Sequence, residues 1–217
     1  MRRTSATRSA ATSTRRRWSP WWWAAPSTEE SRRVGRVRII GGQWRSRRLT
    51  VPPVPGLRPT ADRVRETLFN WLGQDLTGRS CLDLFAGSGA LGFEAASRGA
   101  APVVMVERDA AAFHALTANA RALGAARVEL RREDGLQFLA RDSRCFDVVF
   151  LDPPYASGDL PRALAQLAGR VAPGGRVYAE SARDVEPGSR WQIVRSGRAG
   201  QAHYALLAPA SETAEPS

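Results

Sequence analysis

The stretch CLDLFAGSGALGFEA, residues 81–95, decides the fold. A short apolar run ends in an acid, Asp83, and enters a loop with glycines at 87, 89 and 92 before a helical pattern begins. This is a GxGxxG between a strand and a helix, where glycines let the backbone turn tightly and approach a ligand. Outward from it, strand and helix patterns alternate. Strands are predicted at 80–85, 102–106, 127–131, 146–151 and 175–180, and helices at 89–98, 110–123, 134–141 and 159–171. The runs RWQIVRSG and AHYALLAP leave no room for a helix between them and predict a hairpin, an antiparallel edge on a parallel sheet. The class is therefore α/β, a doubly wound, mostly parallel seven-stranded sheet. Upstream, TADRVRETLFNWL predicts a helix capped by Thr60 or Asp62, with Val64, Leu68, Trp71 and Leu72 as its apolar stripe. RVRIIGGQWRSRRLTVP predicts an N-terminal β-hairpin around Gly41-Gly42.

Composition bounds the function. The 217 residues are 43% hydrophobic, enough for one good-sized domain. All 32 basic residues are arginine, and the net charge is +11. That surplus points to a polyanionic partner, nucleic acid above all. Residues 1–33 hold eight arginines and two glutamates, so +6 of the charge lies there. They read as a disordered tail, either a stacking arm built on Trp18 and Trp21 to Trp23 or a stretch without function ahead of a true start near Val34. The expected division is the tail 1–33, a β-hairpin and linker 34–57, an α/β domain 58–208 and a disordered end 209–217. Cys81 and Cys145 read as small buried hydrophobes in a reducing compartment, and His114 and His203 lack ligand partners, so no metal is expected. No run approaches the roughly 18 apolar residues of a membrane span. A cytoplasmic monomer is expected.

Ligands of such sheets bind beyond the carboxyl ends of the strands. The second strand ends VVMVERD, placing Glu107 20 residues after Gly87, where a carboxylate accepts from both ribose hydroxyls. Asp83 beside the loop suits the α-ammonium group of S-adenosylmethionine better than a pyrophosphate. The third strand ends VELRREDG, where Asp134 can accept from the adenine N6 amine, cap the next helix, or do both. The fourth ends DVVFLDPPYASG. A base's exocyclic amine is a poor nucleophile, because its lone pair is delocalised into the ring. Acceptors around its N–H bonds favour pyramidalisation and stabilise the developing charge. Asp152 and the carbonyl of Pro153 supply them, Pro153 and Pro154 stiffen the corner, and Tyr155 offers a face for an extruded base.

These motifs, DLFAGSGALGFEA, VERD and DPPY, resemble the class I S-adenosylmethionine-dependent methyltransferases. With RIIGGQWRSRRL and GLRPTADRVRETLFNWL, the chain more narrowly resembles the RsmD family of bacterial 16S rRNA (guanine-N2)-methyltransferases, over residues 36–208. The resemblance implies methylation of guanine 966 in an assembled 30S particle or its assembly intermediate. It implies a cofactor site of Asp83, Phe85, Gly87, Ser88, Gly89, Glu107, Arg108, Asp134 and Gly135, and a catalytic corner of Asp152, Pro153, Pro154 and Tyr155. RNA contacts are expected from Arg38, Arg45, Arg47, Arg48 and Arg58, with Arg63 and Arg65 open to either role. Three rivals remain: a DNA amino-methyltransferase or protein glutamine N5-methyltransferase sharing the corner, a non-catalytic rRNA-binding assembly factor, and a NAD-dependent dehydrogenase.

Overall fold

The computed structural model describes residues 35–54 and 60–210. The expectations for residues 1–33, for Arg58 and for the chain's last residues from 211 onward lie outside these. A two-stranded hairpin, β1 (Gly35–Arg38) and β2 (Arg48–Val51), precedes helix α1 (Asp62–Leu72). Then follow β3 (Cys81–Asp83), α2 (Ala90–Ser97), β4 (Val103–Val106), α3 (Ala110–Leu123), β5 (Val128–Arg131), α4 (Gly135–Arg141), β6 (Phe146–Leu151), α5 (Asp159–Gln166), β7 (Val171–Ser181), β8 (Trp191–Ala199) and β9 (Ala202–Pro209).

The seven-stranded sheet has the order β5-β4-β3-β6-β7-β9-β8. β5 through β7 are parallel, and β9 and β8 run antiparallel, as the sequence predicted. Alternation along the strands feeds two cores. Cys81, Val103, Met105, Val148 and Phe150 face α1, α2, α3 and the hairpin, while Leu82, Val104, Val106, Val149 and Leu151 face α4 and α5. The hairpin's Val37, Ile39, Leu49 and Val51 are buried in the first core. At about 2 kcal/mol for each such side chain removed from water, the hairpin is a fixed part of that core.

The structure departs from expectation in four places. The hairpin does not turn tightly at Gly41-Gly42; its strands are joined by residues 39–47, and the glycines serve close approach. A Cβ on Gly42, at φ 74°, would sit 1.9 Å from the Ser97 carbonyl oxygen at the end of α2. Neither Thr60 nor Asp62 caps α1; Ala61 occupies the cap position without a side-chain bond. α5 stops at Gln166 rather than 171, since Gly169 at φ 80° leaves the helical region, and β7 begins at Val171. Cys145 is exposed just before β6, unlike buried Cys81. No described helix is long and apolar enough to cross a membrane.

Candidate active site

In the parallel strands every carboxyl end points the same way, and five of these ends bring a carboxylate to one edge. Asp83 ends β3, Glu107 follows β4, Asp134 lies beyond β5, Asp152 follows β6 and Glu180 is the penultimate residue of β7. Leu151 pairs with Ala179, which sets Asp152 level with Glu180 on neighbouring strands.

The glycine loop is built around two of these acids. Gly87 (φ 53°) and Gly89 (φ 80°) take backbone conformations that favour glycine. Glu107 Oε2 accepts from the Gly87 N–H at 2.8 Å and Oε1 from the Asp109 N–H at 2.6 Å, so Glu107 latches the loop to the start of α3. Glu107 is half-buried, and each oxygen keeps a lone pair for another donor. Asp83 is 2% exposed and accepts from the Gly92 N–H at 2.9 Å. Burial pushes its carboxyl up to about 7; the Gly92 bond opposes this and the nearby Glu107 charge adds to it. The structure thus places Asp83 beneath the loop, between the charges of Glu107 and Asp152.

Ser88 is buried, and its carbonyl accepts from Asn119. Phe85 packs on the α4–α5 core, and a Cβ on Gly135 would lie 2.8 Å from the Leu84 carbonyl oxygen, so that glycine lets α4 close on the loop. Asp134 caps α4 through Oδ1, accepting from the N–H groups of Leu136 and Gln137 at 3.0 and 3.2 Å. Its Oδ2 lies 3.6 Å from exposed Arg108, a surface pair worth about 0–1 kcal/mol.

At the other end of the row, the Thr60 hydroxyl donates to Asp152 Oδ2 at 3.2 Å. Burial pushes the Asp152 carboxyl well above the usual range; the charges of Glu180 and Asp83 add to this, and the Thr60 bond opposes it. Pro153 is buried and Pro154 exposed, with the Pro154 carbonyl accepting from Ser157 N–H at 2.9 Å. The Tyr155 ring is 44% exposed, and its hydroxyl donates to Glu180 Oε1 at 2.8 Å. Glu180 Oε2 accepts from buried Tyr178 at 2.7 Å, and burial and Glu180 raise the Tyr178 phenol well above its ordinary value.

Glu180 is a member the sequence reading missed. Its signal was present in RVYAES, an apolar strand ending in an acid like VMVERD. The sequence marks Thr60 only as a candidate cap of α1. Arg65, open to an RNA or cofactor role in the sequence, is instead fully buried against Glu94 and Asp62.

The arginines of the hairpin are exposed but do not share one location. Arg38 lies 3.6 Å from Asp62, beside the start of α1. The loop with Arg45 and Arg47 lies at the opposite end: Gln43 bonds the Ser97 carbonyl, and Arg47 donates to the Ala122 carbonyl at 2.7 Å. Both partners are at the C-terminal ends of helices that run back from the strand tips. Arg36 and Arg48 pair across the hairpin with Thr50 and Arg38. Among the described residues, no group of three or more His, Cys, Asp or Glu could hold a metal ion.

A doubly wound sheet with a glycine loop after its central strand, tip acids and a DPPY corner defines a Rossmann-like methyltransferase. A curated relative named ribosomal RNA small subunit methyltransferase D, from Escherichia coli, is 45% identical over 179 residues, covering 79% of this chain and 89% of its own. The Haemophilus influenzae protein of that name is 40% identical over 181 residues, with 79% and 93% covered. A solved Escherichia coli structure superposes with TM-score 0.74 at 39% identity, over 82% of this chain and 100% of that one. The chain belongs to this ribosomal RNA small subunit methyltransferase D family, whose description is Conserved hypothetical protein 95 and whose match spans residues 37–208.

Proposed function

We propose that the chain transfers a methyl group from S-adenosylmethionine to the exocyclic N2 amine of guanine 966 of 16S rRNA, within the small ribosomal subunit or its assembly intermediate. The observation that carries this reading is the row of carboxylates: the acids suited to a cofactor and the acid of the DPPY corner open on one edge, linked through Asp83. The groups the cofactor offers there, an ammonium, two ribose hydroxyls and an adenine amine, are all donors, and the row is acceptor-only when ionised. A pyrophosphate would face the same carboxylates unfavourably, which argues against a dinucleotide.

When bound, S-adenosylmethionine supplies a sulfonium-activated methyl group. Glu107 holds the ribose through its remaining lone pairs, Asp134 Oδ2 accepts from the adenine amine, and Asp83 supplies negative charge beneath the ammonium end. Tyr155 stacks on the extruded guanine, its ring tethered by the bond to Glu180. Asp152 and the Pro153 carbonyl accept the two N–H bonds of the amine, favouring a pyramidal nitrogen whose lone pair is withdrawn from conjugation with the ring. As the N–C bond forms, the methyl group's bond to sulfur breaks and its electron pair stays on sulfur as a thioether; the nitrogen becomes cationic and sheds a proton. The raised affinity of Asp152 for protons suits it to take that proton.

The test compares Asp152→Ala and Glu107→Ala by calorimetry with S-adenosylmethionine and by a methylation assay on unmodified 30S particles. Asp152→Ala abolishes turnover and leaves cofactor affinity near wild type; Glu107→Ala weakens cofactor binding. Wild-type turnover in the Asp152 variant overturns the reading.

A further inference from the structure

We infer that Thr60 is a positioning residue for Asp152, held by a buried Arg65–Glu94 post that also anchors the loop of the N-terminal hairpin. The inference rests on the catalytic role given to Asp152 above.

The argument begins with a broken local rule. Thr60 is a residue type suited to cap a helix, yet it stands one position too early, and α1 starts from Ala61 without a side-chain cap. Its side chain is 7% exposed, and its hydroxyl turns to Asp152 Oδ2 instead. The terminal torsion of an aspartate is broad and soft. A donor fixed on one oxygen selects one rotation of the carboxylate and leaves Oδ1 for the substrate amine.

That donor is itself fixed. The Thr60 carbonyl accepts from Arg65 Nε at 3.3 Å. The Arg65 side chain is 0% exposed, and its planar fork leaves little freedom. Its Nη2 donates to the Arg38 carbonyl at 2.8 Å and to Asp62 at 2.6 Å, and its Nη1 lies 3.4 Å from Glu94 Oε2. Glu94 also accepts from the N–H groups of Ile40 and Gly41, each at 2.8 Å, and from Arg98 Nε at 2.9 Å. One connected set of bonds therefore runs from the hairpin loop through Glu94, Arg65 and Thr60 to the catalytic carboxylate.

The groups facing Asp152 are Glu180 and Tyr178 from β7, Asp83 from β3 and Thr60 from the lead into α1. Glu180 and Asp83 favour its neutral form, and the Thr60 hydroxyl favours the carboxylate. Removing the hydroxyl raises the pKa of Asp152 further, so activity that needs the carboxylate is lost at a higher pH as the solution is acidified. A purely structural Thr60 has no such signature.

The experiment measures kcat and KM against pH on unmodified 30S particles for wild type, Thr60→Val, Thr60→Ser, Arg65→Lys and the Val/Lys double variant, with Asp152→Ala alongside. Thr60→Val keeps the shape and loses the bond. A hydrogen bond to a charged group corresponds to about tenfold or more in rate, so kcat falls by about that factor, KM for the cofactor stays, and the acidic limb moves up in pH. Thr60→Ser restores both. Arg65→Lys acts in the same direction, and the double variant loses little beyond Thr60→Val, because the two act along one path. An unshifted acidic limb in Thr60→Val, or no rescue by Ser, overturns the positioning role; if Arg65→Lys does not fold, the Val and Ser pair still decides. Wild-type turnover in Asp152→Ala instead overturns the underlying reading of the site.

Discussion

Replacing Asp83 with Asn removes a charge that the folded protein holds at a cost. In the folded state this carboxyl is pushed up to about 7 by burial, against an ordinary 3.8. Between those two values the folded form keeps a proton that the unfolded chain has released, so stability falls as pH rises across the window. The cost is complete above about pH 7. Three pH units at 1.36 kcal/mol each amount to about 4 kcal/mol. At pH 5 only the first part of that cost applies, roughly 1–2 kcal/mol by the same linkage. Asn keeps an oxygen for the Gly92 N–H and never ionises. The stability of Asp83→Asn relative to wild type is therefore expected to improve by about 3 kcal/mol between pH 5 and pH 8. For a chain of this size that corresponds to about 6–12 °C in relative Tm. Thermal melts of both cofactor-free proteins across this range, followed by circular dichroism, measure it directly. Calorimetry at pH 8 supplies the functional counterpart, a weaker affinity of the variant for S-adenosylmethionine. A Tm difference that does not change with pH refutes the account of Asp83.

Two further outcomes follow from other parts of the molecule. Glu94→Ala takes the shared carboxylate away from the buried guanidiniums of Arg65 and Arg98 and leaves two backbone N–H groups without their acceptor. Breaking such a pair from one side costs about 3–5 kcal/mol, a large share of the roughly 5–15 kcal/mol that holds a domain; urea unfolding should show it, and a loss below about 1 kcal/mol contradicts it. Changing Arg45, Arg47 and Arg48 together to Ala should weaken binding to 30S particles. It should also flatten the dependence of binding on salt, by about one slope unit for each phosphate that is no longer neutralised. A salt series of binding measurements checks this, and an unchanged slope removes these residues from the interface.

The sheet was legible because its signals are local. Apolar runs bounded by acids and glycines place β3 to β6 within a few residues, and the antiparallel end follows from the short spacing between two strand patterns. The positions of the acids at the ends of β3 to β6 were legible for the same reason, since a strand end is read along the chain. What escaped is long-range. Arg65 and Glu94 are 29 residues apart, and Glu94 meets Ile40 across 54. A charged residue in an apolar helix shows that something unusual is buried, but its partner is fixed only by packing. Gly41-Gly42 misled in a related way. A glycine pair allows both a tight turn and close passage of one backbone over another, and only the position of α2 distinguishes them.

The line of acids along the strand tips acts on net charge as well as on single bonds. It repels phosphodiesters, so a nucleic-acid strand can approach this edge only with a bare base leading. It also distinguishes a methyl donor before reaction from the same molecule afterwards. The sulfonium form carries one more positive unit than the thioether left behind, and the acids attract the first more strongly than the second. On the proposed function, loss of that attraction on transfer would favour departure of the used cofactor.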